Sequence, residues 1–155
     1  MTEIRQGRTD SASRVLAASP DTIYQALVDP AAVAAWRPPA GMSARIDVFE
    51  PREGGRFRMA LLYETGGSGK TTENADVVEG EFGELVPGAR VVERVRFVSD
   101  DPAFAGEMTI TTSLTPVAGG TRVAVVCENV PTGISAADHQ VGLASTLANL
   151  ATFTE

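Results

Sequence analysis

A chain of 155 residues, 43% hydrophobic and 21% charged, suits one globular domain with a core of its own. Its formal charge of −7, from 13 Lys and Arg against 20 Asp and Glu, argues against a surface for nucleic acid or anionic membrane, which needs clustered cations. Cys127 is the single cysteine, so no internal disulfide can form and a reducing cytoplasm is the expected location.

Residues 1–10 are polar, lack the apolar core of a signal peptide and read as a flexible lead-in to a single domain over residues 11–155. No run of about 18 apolar residues follows that could span a membrane. Residues 11–18 read as a first strand around Val15 and Leu16. Ser19-Pro20 and Asp29-Pro30 each set a capping side chain before a proline at the first helical position. Two short helices follow, the second running to about Trp36 before Pro38, Pro39 and Gly41 stop it.

Residues 42–49, 56–63, 74–86 and 89–98 then alternate with the period of strands, separated by turn residues such as Gly54-Gly55 and Pro87-Gly88. Phe57, Met59, Leu61 and Tyr63 share one face of the second of these. Met108, Ile110, Thr112 and Leu114 begin a further strand, and Gly119-Gly120 returns the chain through Val123, Val125 and Cys127. The closing stretch, residues 131–155, holds the only long helical pattern. Ser135 and Asp138 cap it, and Leu143, Leu147 and Leu150 fall on one face, widened by the small Ala144, Ala148 and Ala151. The predicted fold is α+β, with about six or seven antiparallel strands curved around a long C-terminal helix and a cavity left between them.

The segments 49–57 around Gly54-Gly55, 80–87 followed by Arg90, and 115–123 around Gly119-Gly120, together with the terminal helix, resemble the START-like, or SRPBCC, superfamily. Within it the chain is most similar to the branch related to the heat-shock protein 90 ATPase activator, often labelled polyketide cyclase-like. Trp36 with Pro38 to Met42, and Gly133-Ile134 with Asp138-His139, look like a bacterial stand-alone subgroup. The resemblance implies the helix-grip fold of the birch pollen allergen, with a hydrophobic ligand cavity. This fold hosts carriers, cyclases and chaperone modules, so it does not choose among them. A full heat-shock activator carries an additional N-terminal domain, which places a chaperone partner behind the other readings.

The candidate chemistry is sparse. Residues 66–71 around Lys70 imitate a phosphate loop, but Glu64 stands where the pattern needs glycine, and a hairpin loop is the better reading. His139, the only histidine, sits on the first turn of the terminal helix, whose dipole favours a neutral ring. It reads as a packing residue or as a hydrogen-bonding and acid–base group on the cavity. Glu93 shares parity with Val91 and Val95 and faces the cavity unless a bulge turns it out. Tyr63 ends an otherwise apolar face and needs a partner for its hydroxyl.

The ligand wall is expected from Trp36, Phe57, Met59, Tyr63 and Phe82, with Phe97, Met108, His139 and Leu143 completing it. No metal site, cofactor motif or catalytic triad can be composed from these residues. The leading expectation is binding of a small apolar or aromatic molecule. A cyclase or dehydratase using His139 with Glu93 or Tyr63 comes second, and a chaperone-activator-like interaction module third. A homodimer is compatible with the sequence.

Overall fold

The computed structural model describes residues 7–38, 41–63 and 75–155, with the side chains of Tyr63 and Ala75 outside that description. The loop containing Lys70 lies outside the described residues. β1 (Arg8–Leu16) leads through α1 (Pro20–Val28) and α2 (Pro30–Trp36) into a meander. Its strands are β2 (Met42–Phe49), β3 (Arg56–Tyr63), β4 (Ala75–Val86), β5 (Arg90–Phe97), β6 (Met108–Val117) and β7 (Gly120–Val130). The chain closes with α3 (Ala136–Thr154). All seven strands form one antiparallel sheet in the order β1-β7-β6-β5-β4-β3-β2. The first strand therefore returns to the last, and the two short helices carry the chain from one sheet edge to the other. This is the predicted α+β helix-grip arrangement.

The helix starts follow from local chemistry. The Ser19 hydroxyl accepts from the Thr22 N–H at 3.1 Å, the Asp29 carboxylate from the Ala31 N–H at 3.0 Å, and the Ser135 hydroxyl from the Asp138 N–H at 3.0 Å. Proline at the first helical position, where no N–H is needed, sets the start of α1 and of α2. At the β6–β7 turn, Gly120 has φ +151°, and a Cβ there would lie 1.9 Å from the Leu16 carbonyl oxygen. Only glycine lets the turn pass so close to the end of β1.

Leu16, Ile23, Phe82, Val91, Val123 and Leu150 are sealed in the core. On α3 the leucine stripe faces inward, with Leu143, Leu147 and Leu150 at 9%, 3% and 1% exposure against 71% for Val141. Ala151 joins them, but Ala144 is exposed, so the inward face is narrower than the alanine pattern predicts. The outer face of the sheet carries cross-strand ion pairs, among them Arg58–Glu79 at 2.6 Å and Arg96–Glu81 at 2.7 Å. Such exposed pairs contribute at most about 1 kcal/mol each. β1 begins at Arg8, inside the segment expected to be a flexible lead-in. What orders it is specific polar pairing, a signal that apolar alternation does not carry. Among the described residues, no helix is long and apolar enough to cross a membrane.

Candidate functional site

Two cavities, of about 250 and 280 Å³, lie between α3 and the inner face of the sheet. Leu27, Trp36, Val125, Leu147 and Leu150 line the first, together with the polar Glu93 and Thr112. Phe57, Met59, Val95, Phe97 and Met108 line the second, with Asp76 and Asp138. Arg37, Leu61, Ile110, His139 and Gly142 belong to both, so the two spaces adjoin at a common wall. Gly142 sits within α3, where glycine costs about 1 kcal/mol relative to alanine. A Cβ added there would meet nothing within 4 Å. The missing side chain leaves open space at the junction.

His139 reaches that junction from the first turn of α3. Its Nδ1 lies 2.7 Å from Oδ2 of Asp10, a residue only 6% exposed. Arg8 binds the same carboxylate through Nε and Nη2 at 2.9–3.1 Å, and its Nη2 also donates to the Ile134 carbonyl at 2.6 Å. The Arg8 hydrogen bonds hold the Asp10 carboxyl below its ordinary value, and His139 acts in the same direction, while burial opposes both. With Asp10 ionised, the imidazole donates from Nδ1.

The topology explains this meeting. The register of β1 on β7 shifts between Arg8 and Asp10, and Asp10 then stands across from Cys127. Cys127 lines the first cavity, and cross-strand partners share a face, so Asp10 is carried inward beneath α3.

Glu93 is also inward, 5% exposed between the buried Val91 and Val95 on β5. Its ion partner is Arg37, which caps α2. Arg37 Nη1 stands 3.5 Å from Glu93 Oε2, long for a charge-assisted hydrogen bond. Arg37 Nε is buried with no hydrogen-bond partner among the described residues. The guanidinium lies 4.8 Å from the centroid of the Trp36 ring, and the indole N–H is committed to the Ala26 carbonyl at 2.8 Å. Burial pushes the Cys127 thiol up to about 12, so it stays protonated near neutral pH and is not a nucleophile.

This geometry can be set beside known proteins. A family model described as activator of Hsp90 ATPase homolog 1-like protein matches residues 17–155. The chain belongs to that family. The family lies within the SRPBCC, Bet v 1-like superfamily, as the turn segments suggested. A solved protein from Chromobacterium violaceum is similar at 32% identity over 95% of this chain and 96% of its own, with a TM-score of 0.86. A protein from Rhodobacter sphaeroides has 23% identity, covers 97% of this chain and 96% of its own, and reaches a TM-score of 0.77. An AHSA1-like protein from Aeromonas hydrophila has 18% identity, coverage of 94% and 91%, and a TM-score of 0.72. The last two show the shared fold alone. No match was found among curated proteins.

Within this family fold, the expected wall residues separate. Trp36 and Leu143 line the first cavity, Phe57, Met59, Phe97 and Met108 the second, and His139 both. Phe82 lines neither. It is fully buried, its ring 5.4 Å from Phe49 and 5.2 Å from Phe57 between centroids, and belongs to the packed core. The side chain of Tyr63 lies outside the described residues. His139 and Glu93 border the same cavity but take different partners, so the carboxylate at the imidazole is Asp10 and not Glu93. Asp10, Arg37 and Gly142 were not singled out from the sequence. Among the described residues, no three His, Cys, Asp or Glu side chains are grouped so as to hold a metal ion.

Proposed function

We propose that this chain binds a small, largely apolar molecule between α3 and the sheet. The observation that supports it is the pair of adjoining apolar cavities with Gly142 leaving their common wall open. Ligand pockets typically measure about 300–1,000 Å³, so at about 250 and 280 Å³ each space alone falls just short of that range and the two together lie within it. The lone buried Cys127 suits a reducing cytoplasm. Native mass spectrometry of the purified protein tests the binding: a retained small molecule, lost on denaturation, is expected. Absence of such a mass, together with no uptake of the uncharged dye N-phenyl-1-naphthylamine, would remove the proposal.

A second reading is favoured by one specific contact. An imidazole fixed by an ionised carboxylate at a cavity wall is an arrangement suited to proton transfer. Under the carrier reading His139→Ala weakens binding by about 1–3 kcal/mol. Under the enzyme reading it slows turnover about 100-fold or more while affinity largely survives. Calorimetry and product analysis on the copurified molecule, wild type against variant, separate the two.

A further inference from the structure

We infer that the molecule held here carries an uncharged oxygen acceptor near its middle, with apolar groups on both sides, and that Arg37 donates to that oxygen. The inference rests on the binding reading above and narrows its chemistry. Of the residues common to both cavities, Leu61 and Ile110 are apolar and Gly142 has no side chain. Polar recognition at the junction falls to Arg37 and His139. A molecule that fills both spaces passes these two groups at its centre and meets mainly apolar wall at either end.

Charge decides which acceptor fits. The Arg37 cation already faces the buried Glu93 carboxylate, so its charge is matched. A ligand carboxylate would add negative charge beside these groups in a poorly solvated space, which is costly. What Arg37 has to spare is hydrogen bonding. Its contact with Glu93 is 3.5 Å, and its Nε has no partner among the described residues. Buried donors are normally satisfied, and a guanidinium held this loosely can turn toward a carbonyl oxygen.

Two isomeric ketones test this, because they match in size and composition and differ only in where the oxygen sits. N-phenyl-1-naphthylamine serves as fluorescent reporter, displaced by 5-nonanone or by 2-nonanone, in wild type and in Arg37→Met. Wild type should release the dye to 5-nonanone at about tenfold lower concentration than to 2-nonanone, one hydrogen bond's worth of discrimination. In Arg37→Met, with each displacement referred to that variant's own affinity for the dye, the two ketones should act alike. Equal displacement in wild type, or a preference that survives in Arg37→Met, overturns the inference while leaving the cavity reading intact. Failure of the dye to bind wild type, with no molecule retained through purification, sinks the cavity reading itself. Glu93→Gln gives an independent check: with the arginine charge unmatched, nonanoate should gain on 5-nonanone. A nonanoate that already outcompetes 5-nonanone in wild type contradicts an uncharged acceptor.

Discussion

Asp10 sits in a polar opening segment, yet it orders the first strand and orients the one histidine. Its carboxyl is held below the ordinary value of 3.8, chiefly by Arg8. A carboxylate with a lowered pKa contributes stability at pH values above its unfolded pKa and loses it as pH falls through the folded value. Asp10→Asn should therefore cost about 1–3 kcal/mol in urea unfolding at pH 7, and the gap from wild type should close below pH 3.8. A gap that is unchanged in acid would show that the charge of Asp10 is not what stabilises. Cys127 supplies a second check at this scale. Buried and held as the thiol, it should resist a thiol-reactive disulfide reagent at pH 8 in the folded protein and react once urea unfolds it. Rapid labelling of the folded protein would mean that the inner face of β7 is open. Alternation with Val91 and Val95 left Glu93 open between the cavity and a bulge, and the structure turns it inward, while the place of His139 followed from the helix cap. Asp10 and Arg37 escaped because each owes its position to a partner far along the chain, and local periodicity carries no trace of such partners.

The elements themselves were legible because their signals are local. Ser19-Pro20, Asp29-Pro30 and Ser135 mark helix starts through side chains that bond the next turn, and the structure places all three caps there. Strand alternation likewise gave β2 and β3 their bounds. The start of β1 was not readable, since Arg8 and Asp10 are held by an ion pair and by His139 and not by an apolar face. For α3 the decisive feature is the leucine stripe. Leu147→Ala should lower stability by about 2–5 kcal/mol, the range for large-to-small core changes, and Val141→Ala by less than about 0.5 kcal/mol. Equal effects from the two substitutions would contradict a helix gripped along that stripe.

On the scale of the whole molecule, a curved sheet and one helix cannot close on each other completely, and here the gap falls where α3 presents Gly142. The family fold and a cavity under the helix follow from the sequence, but the cavity's lining does not. It depends on which side chains fill the inner face, so Phe82 went to the core while Phe57 and Phe97 reached the cavity wall. Under the binding proposal, a ligand fills this space. The most direct test is a dye titration with N-phenyl-1-naphthylamine on wild type and Gly142→Leu, with thermal unfolding of both recorded alongside. Leucine at 142 removes a helix-weakening glycine, a gain of roughly 1 kcal/mol, and puts apolar volume into the junction. The variant should melt no lower than wild type and bind the dye at least about tenfold more weakly, a loss of roughly 1.4 kcal/mol. A variant that is equally stable and binds the dye with unchanged affinity would contradict a ligand site between α3 and the sheet.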